Sequence, residues 1–472
     1  MHAATTPSAT RTEKDSLGPK EVPADAYYGV QAARARENFP VSGLPLPREL
    51  VRAYALVKLA CAEANQKLGT VDEAKAQAIA RACQEVADGK FSDEFIVDVF
   101  QAGAGTSTNM NVNEVVANRA LELLGHPKGD YAFLSPNDHV NRGQSTNDTF
   151  PTALNVSVLF ALQEVERSVS HVVTSLEAKA KELADVPKAG RTHLKDAMPV
   201  TLGSEFQAYA SALRRVLESL PRVREDLSEV ALGGSAVGSG INTVPGFRAL
   251  AVSRLAERSG LALRVARDPF ETMQSRRAAS EASSWLRSLA VELTRIANDL
   301  RLLSSGPATG FDEVRLPEVQ PGSSIMPGKV NPSMAECLNQ VCFHVIGSDL
   351  ATSLASQAGQ LEINVMMPLM AYEVLFSSRI LAHFLPAFAT RCVDGITAHR
   401  ERMEHYLLSS HALATVLTPK LGYLKVAEVI KKSAASGINA RDYLVREGIL
   451  TEPEVEELLG KAALVKMARP VR

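Results

Sequence analysis

Apolar residues recur alternately three and four positions apart in three long segments of the chain. This spacing is typical of the side of a helix that faces a helical bundle. It predicts long helices that pack nearly antiparallel. The stripes are Val158, Leu162, Val165, Val169, Val172 and Leu176; Leu213, Val216, Leu220, Val223, Leu227 and Val230; and Leu286, Leu289, Leu293, Ile296, Leu300 and Leu303.

Other local patterns refine this prediction. Pro221 interrupts the second stripe, so we expect a kink or a local break there. Ser333 and Glu336 read as a capping box, which predicts that a further helix begins near Ser333. Strand-like alternation is scarce, so the predicted fold class is all-α. The apolar stripe of this fourth helix is Leu338, Val341, Cys342, Val345 and Ile346.

Composition narrows the range of partners. The 472 residues include 51 Lys+Arg and 53 Asp+Glu, a net charge of -2 that gives no reason to expect nucleic acid or a membrane as partner. Five cysteines without CxxC spacing indicate a reducing compartment, which we take to be the cytoplasm. Residues 1–12 lack the apolar stretch of a secretion signal and are predicted to be a disordered tail.

Polar, glycine-bearing stretches separate the apolar stripes, and chemistry is expected there. The densest runs from Gly322 to Pro332. It is not a phosphate-binding P-loop, because five residues separate Gly322 from Gly328 and Val330 stands where a magnesium-binding hydroxyl is needed. Its hydroxyls, lysine and amide suit a carboxylate, although an ordinary Gly/Pro loop fits as well. The stretches are 103–113, 135–149, 190–203, 233–243 and 321–332.

Two of these stretches are rich in neutral hydrogen-bonding groups, Thr106–Asn113 and Gln144–Thr149. Such groups can orient a small polar anion. His193 follows Arg191 and Thr192, and it is a candidate only if other clusters lie beside it. No His/Cys/Asp grouping has metal-ligand spacing, so we expect neither a metal nor another cofactor.

The segment Gly322-Ser-Ser-Ile-Met-Pro-Gly-Lys-Val-Asn-Pro332 resembles the signature loop of the aspartase and class II fumarase superfamily. The resemblance implies a three-region helical fold whose long central bundle forms a multi-helix core in a homotetramer, with each active site built from three subunits. The implied regions are 13–143, 144–394, which contains the loop 321–332, and 395–472. Further matching segments are 105–111, 136–141, 144–148, 190–194 and 359–365.

Three positions favour the aspartase branch, which releases ammonia from L-aspartate to give fumarate. Ser107, Ser135 and Thr146 each differ from the residue that is usual in fumarases. A fumarate hydratase is the main alternative. A lyase for larger succinyl adducts and a structural homologue without activity are two others.

The resemblance also implies a role for individual residues. Ser323 would be the general base, stabilised as an alkoxide by Lys329 and loop N–H groups. Glu336 would support His193 by pairing with it. The residues implied around the substrate are Thr106 and Ser324 at the carboxylate next to the proton that leaves, Lys329, Asn331, Thr146 and His193 at the other carboxylate, and Ser145, Asn147, Thr106 and Thr192 at the amino group, with Ser107 as a further substrate-binding residue.

Three residues depart from the family pattern. Lys195 replaces the usual Gln, Thr309 follows Ala308 where Arg-Ala or Arg-Cys is common, and Met367 stands where aspartases usually carry Glu. These departures leave the implied base and lysine in place, and they affect the expected substrate preference and efficiency.

Overall fold

A computed structural model describes residues 9–468, and most of them are helical. The helices are α1 (Val30–Asn38), α2 (Arg48–Lys67), α3 (Glu73–Ala87), α4 (Thr106–Leu123), α5 (Thr146–Glu182), α6 (Leu202–Ser228), α7 (Phe247–Ser259), α8 (Glu271–Gln274), α9 (Arg277–Leu303), α10 (Ser333–Gln357), α11 (Met367–Phe388), α12 (Arg400–Ser409), α13 (Thr418–Leu421), α14 (Tyr423–Ser436), α15 (Ala440–Arg446), α16 (Glu452–Leu459) and α17 (Lys461–Met467).

Short strands accompany the helices and form two-stranded pairs. The pairs β1–β2, β3–β4 and β7–β8 are antiparallel, and β5–β6 is parallel. The strands are β1 (Thr10–Asp15), β2 (Gly18–Pro23), β3 (Pro187–Thr192), β4 (Lys195–Thr201), β5 (Glu229–Val230), β6 (Arg264–Val265), β7 (Val314–Arg315) and β8 (Thr397–Ala398).

The apolar stripes predicted the long helices correctly. The first lies in α5, the third in α9 and the fourth in α10, and all residues of the first and third stripes are buried. The second lies in α6 except for Val230, which belongs to β5. Pro221 lies inside α6, which continues to Ser228, so the local break does not occur. The burial of one face explains this, because packing outweighs a single lost backbone hydrogen bond.

The structure divides into two compact units. Unit 1 comprises Met1–Val165, Ser219–Ser288 and His344–Ile380. In it α2 packs against α3 and α7, and α3 packs against α4. Unit 2 comprises Glu166–Glu218, Leu289–Phe343 and Leu381–Arg472. In it the β3–β4 hairpin packs against α12 and α17, beside an apolar cluster built mostly from residues 407–464. The three regions implied by the family resemblance stay a prediction.

Two local predictions need correction. Thr10–Thr12, assigned to a disordered tail, are part of β1 and pair with β2, while residues 1–8 of that tail lie outside the described residues. The helix α10 begins at Ser333 as expected, but the capping box does not form. Ser333 Oγ donates to the carbonyl of Asn331, and Glu336 N donates to the carbonyl of Pro332. No helix within residues 9–468 is long and apolar enough to cross a membrane.

Candidate active site

A fully buried lysine is the centre of a polar cluster in unit 1. Lys58 Nζ donates to Oδ1 of Asn109 (2.7 Å), Oδ1 of Asn141 (2.8 Å) and Oε1 of Gln144 (2.9 Å). Burial lowers the pKa of Lys58 to about 8. Because all three acceptors are neutral amides, they solvate the ammonium without cancelling its charge. The cluster therefore favours an anion bound beside it.

Lys58 was missed by the sequence reasoning, although the chain contains a signal. It is the only charged residue between Ala53 and Ala62, and it lies in α2, whose other residues in that interval are buried and mostly apolar. Lysine is almost never fully buried without a partner. A lone lysine on such a helix therefore indicates a polar cluster, but it does not say which residues supply the acceptors.

Thr106 and Ser107 form the first turn of α4, behind two left-handed residues. Ala104 has φ of 57° and Gly105 has φ of 81°. A Cβ on Gly105 would lie 2.0 Å from the ring of Phe150, so only glycine fits there. The first turn of α4 holds no acidic residue, which leaves the positive end of the helix dipole uncompensated. Thr106 and Ser107 both line a cavity of about 690 Å³.

The second group of predicted residues begins α5. Thr146 is buried, and Ser145 and Asn147 are half-buried. Asn147 Nδ2 donates to the carbonyl of Ala236 at 2.8 Å, which leaves its second N–H and its carbonyl oxygen for another partner. Ser145 Oγ accepts the N–H of Asn147 at 3.2 Å. Hydroxyl and amide groups at a helix start can thus surround a small polar ligand.

Asp148 holds this helix start against the glycine-rich segment 233–243. Its carboxylate accepts the backbone N–H groups of Ser145 (2.9 Å), Gly233 (3.0 Å) and Ser235 (2.9 Å). Burial raises the pKa of Asp148 to about 6. Three N–H donors stabilise the ionised form, so we assign Asp148 a structural role as a charged anchor. The glycine-rich segment is therefore part of the support of the candidate site.

In unit 2, His193 occupies the turn of the β3–β4 hairpin. Thr192 pairs with Lys195, so His193 and Leu194 form a two-residue loop. Both have left-handed φ, 56° and 58°, and neither is a glycine. Such turns match the twist of a hairpin but cost backbone energy for residues with a side chain. The side chains of Thr192 and His193 are exposed at the tip.

The signature loop is closed by contacts between its two ends. Gly322 N donates to the carbonyl of Lys329 at 2.8 Å, and Asn331 Nδ2 donates to the carbonyl of Gly322 at 2.6 Å. A Cβ on Gly322 would lie 2.5 Å from that Lys329 oxygen, so glycine is required at this close approach. Residues 323–328 form the part of the loop between these contacting ends.

Within the loop, the hydroxyl oxygen of Ser323 accepts two backbone N–H groups. The donors are Ile325 N at 3.2 Å and Met326 N at 3.0 Å. Donors of this kind stabilise negative charge on the oxygen that accepts them. Ser324 and Lys329 are exposed, and no hydrogen bond or ion pair within residues 9–468 engages the ammonium of Lys329.

The predicted site residues thus fall into two groups. Each group lies within one unit, and the pairing of Glu336 with His193 stays a prediction. Among residues 9–468, no group of three or more His, Cys, Asp or Glu side chains could hold a metal ion. Unit 1 contains Thr106, Ser107, Ser145, Thr146 and Asn147, and unit 2 contains Thr192, His193, Ser323, Ser324, Lys329, Asn331 and Glu336.

One departure from the family pattern has a structural counterpart. Met367 is fully buried, and its sulfur lies 3.6 Å from Nη1 of Arg276. The guanidinium of Arg276 is itself buried, and its Nε and Nη2 have no hydrogen-bond partner among the described residues. Burial lowers the pKa of Arg276 to about 10. Lys195 and Thr309 are exposed.

Two family models match the chain. Residues 18–347 match the family described as "Lyase", and residues 413–466 match the one described as "Fumarase C C-terminus". Among solved structures, the chain is similar to a fumarate lyase:delta crystallin from Brucella melitensis bound to cobalt (TM-score 0.94, 46% identity, 98% of this chain and 100% of that chain). It is also similar to a class II fumarase from Schistosoma mansoni (TM-score 0.93, 36% identity, the same coverage).

Curated relatives match over nearly the full length. The aspartate ammonia-lyase of Pseudomonas aeruginosa is 48% identical over 455 residues, 96% of each chain. The enzyme of the same name from Escherichia coli is 44% identical over 461 residues, 97% of this chain and 96% of its own. This chain therefore belongs to the lyase family, within the aspartase and class II fumarase superfamily that its signature loop predicted.

Proposed function

We propose that the protein is an aspartate ammonia-lyase, which eliminates ammonia from L-aspartate reversibly and in anti geometry to give fumarate. The observation that carries the proposal is the environment of Ser323, whose oxygen accepts two backbone N–H groups in a loop that is closed at its two ends. Curated relatives of that name, 44–48% identical, support it.

Proton removal is the step that Ser323 would carry out. Its alkoxide takes the proton from the carbon next to the β-carboxylate, and the electron pair moves onto that carboxylate as a dianionic aci form. The carbon–nitrogen bond then breaks, ammonia leaves and the double bond of fumarate forms. Serine is a weak base, so the two N–H donors matter, since one such donor is typically worth about 2.7–4 kcal/mol.

The remaining groups would bind the substrate. Lys329 is a cation without a partner within the described chain, as a carboxylate site requires. Gly328 has φ of 80°, and no atom lies near the position of a Cβ there. It can therefore act as a hinge when the loop moves over a bound substrate. In this proposal Ser324, Thr106 and loop N–H groups hold the β-carboxylate, Lys329, Asn331, Thr146 and His193 hold the other one, and Ser145, Asn147, Thr106 and Thr192 surround the amino group.

The fumarate hydratase alternative receives less support. Ser107, Ser135 and Thr146 each differ from the usual fumarase residue, and Thr146 is buried at the start of α5 where it cannot be an incidental surface change. The solved class II fumarase is 36% identical to this chain, whereas the two aspartate ammonia-lyases are 48% and 44% identical. These observations favour ammonia over water as the leaving group.

We further propose that four chains assemble in the cytoplasm and share their active sites. Phe343, Leu350 and Leu354 lie seven and four residues apart in α10, on one face of the helix. Their exposed fractions are 58%, 64% and 52%. Large apolar side chains in such a row indicate a surface covered by other copies of the chain.

The function is tested by following the ultraviolet absorbance of fumarate with L-aspartate and L-malate as separate substrates. We expect fumarate from L-aspartate only, and none with Ser323→Ala. Ser304→Ala is the matched control, because it removes a serine hydroxyl of unit 2 that donates to the carbonyl of Leu300 at the end of α9. Fumarate from L-malate alone would make the protein a fumarase.

The assembly is tested by light scattering coupled to size-exclusion chromatography. Wild-type protein should have four times the chain mass. Leu350→Lys should dissociate it and abolish activity, although no proposed site residue changes. Leu424→Lys is the control, since Leu424 is 83% exposed in the C-terminal part of unit 2. A fully active Leu350→Lys monomer would refute the shared active sites.

A further inference from the structure

A buried cluster of four charges lies in unit 2, behind the His193 turn. Lys188 Nζ contacts Glu205 at 2.8 Å and Glu313 at 2.9 Å. Arg191 Nη2 contacts the second oxygen of Glu313 at 2.8 Å. The side chain of Glu313 is completely buried, and that of Lys188 is 2% exposed. Each oxygen of Glu313 is therefore paired by charge with a cation of one strand, β3, although neither oxygen accepts a hydrogen bond among the described residues.

Glu313 is held from the other side by its own backbone. His399 N donates to the carbonyl of Glu313 at 2.9 Å, and β7, which begins at the next residue, pairs with β8. His399 also contacts Asp312 at 2.8 Å. These contacts hold the backbone that carries the carboxylate of Glu313. Eight residues further along the chain the signature loop begins.

Arg191 connects Glu313 to the β3–β4 hairpin. Its guanidinium carbon lies 4.3 Å from the ring centroid of Phe311 while the group pairs with Glu313, so one short segment of chain supplies both a cation–π contact and a charge contact. Arg191 lies in β3, two residues before His193. The contact is therefore made at the base of the turn that presents His193.

The turn needs such support because it is strained. His193 and Leu194 are both left-handed without being glycine. Residues in this region of backbone space persist only where their surroundings over-determine them. Leu194 is 68% exposed, so packing of its own side chain does little to hold the backbone in this conformation. The ion pair of Arg191 with the buried Glu313 lies two residues before His193 and can supply this support.

We propose that Glu313 is a positioning residue for the elimination, which through Arg191 holds the His193 turn in the conformation that binds the substrate carboxylate. The proposal rests on the proposed function, in which His193 contacts that carboxylate. A purely structural salt-bridge cluster would act through the net charge around Lys188, to which Glu205 and Glu313 contribute alike. Removing the charge of Glu313 and of Glu205 in separate variants therefore distinguishes a positioning role from a purely structural one.

The test compares Glu313→Gln with Glu205→Gln, each of which keeps the side-chain shape and removes one carboxylate from Lys188. For Glu313→Gln we expect the KM for L-aspartate to rise about tenfold, the effect of one lost contact of 1.4 kcal/mol, with a smaller change in kcat. For Glu205→Gln we expect KM to stay within about twofold of wild type. Equal rises in both variants would overturn the proposal.

A rescue experiment separates positioning from stability. Leu194→Gly removes the strain of the turn, because glycine adopts left-handed φ without cost. In the Glu313→Gln background it should lower the raised KM most of the way to the wild-type value. In wild type it should leave KM nearly unchanged. A loss of structural stability elsewhere would not respond to this change. Failure of the glycine to lower KM would overturn the proposal.

Two provisions keep the outcome unambiguous. If Glu313→Gln does not fold, Arg191→Lys takes its place, because it retains the charge but lacks the planar group that stacks on Phe311. Its KM should rise, and Leu194→Gly should reverse the rise. If wild-type protein makes no fumarate from L-aspartate, the proposed function fails before any variant is compared, and the same comparison is made with the substrate that is turned over.

Discussion

Each unit contains a fully buried lysine, and the two lysines have different partners. Lys58 of unit 1 donates to three neutral amide oxygens. Lys188 of unit 2 contacts two carboxylates, those of Glu205 and Glu313. Both ammonium groups are removed from water, so both require polar partners. Only Lys188 has partners that neutralise its charge.

The difference shows how a buried charge is assigned to structure or to binding. Carboxylate partners cancel the field of Lys188, which leaves it as a connection between β3, α6 and Glu313. The amide partners of Lys58 do not cancel its field, which only the carboxylate of Asp148 offsets without touching it. The acceptor Asn109 lies three residues after Thr106, and Gln144 directly precedes Ser145. The charge of Lys58, which has no carboxylate in direct contact and only the nearby Asp148 as a counter-charge, is thus placed next to residues proposed to bind a dicarboxylate.

The largest expected effect on stability is at Lys188. Lys188→Met should reduce the unfolding free energy by about 3–5 kcal/mol, because it leaves the carboxylate of Glu205 without its cation and that of Glu313 with Arg191 alone. Urea denaturation followed by circular dichroism measures this. Restoring stability with Glu205→Gln in the same chain would confirm the cause, and a loss below about 1 kcal/mol would contradict it.

Lys58→Met should cost less stability and more binding. Gln144 Oε1 loses its donor while Asn141 Oδ1 keeps the N–H groups of Asn109 and Asn113, so we expect a loss of about 1–3 kcal/mol. The KM for L-aspartate should rise, because the substrate anion loses a nearby cation. Urea denaturation and steady-state kinetics on one preparation test both. An unchanged KM would remove the distinction between the two lysines.

Arg276 is a third buried cation, and adding a carboxylate should stabilise it. Met367→Glu places an acceptor where the thioether now lies 3.6 Å from the guanidinium. We expect the unfolding free energy to rise by about 1.5 kcal/mol, as for a hydrogen bond between charged groups. Met366→Glu is the control, since Met366 is 43% exposed and its charge would stay in solvent. Destabilisation by Met367→Glu would show that Arg276 is already satisfied.

The smallest expected effect is a pH dependence that belongs to Lys58. Its pKa of about 8 in the folded protein lies below its ordinary value of 10.5. Between these values the unfolded chain binds more protons, so the unfolding free energy rises with pH. The difference between wild type and Lys58→Met should grow in favour of wild type by about 1 kcal/mol from pH 7.5 to pH 9. A difference that does not change with pH would contradict the lowered pKa.

Local patterns in the sequence were sufficient for most of the helical architecture. The helices α5, α9 and α10 follow from apolar spacing, because a periodicity of three and four residues is a property of neighbours in the chain. The order of residues in the signature loop likewise identified the family and the candidate base. The hairpin β3–β4 was not predicted, since its strands are short and lack a clear alternation of apolar residues.

The sequence by itself therefore determined the helices, the family and most of the candidate site residues. Only the tertiary structure decided which side chains meet across long stretches of chain: Lys58 with Asn109 and Asn141, and Lys188 with Glu313. It also decided that Arg276 lies against Met367 and that His193 occupies a left-handed turn. The physical reason is that helix formation depends on residues a few positions apart, whereas the environment of a buried charge depends on packing between distant segments.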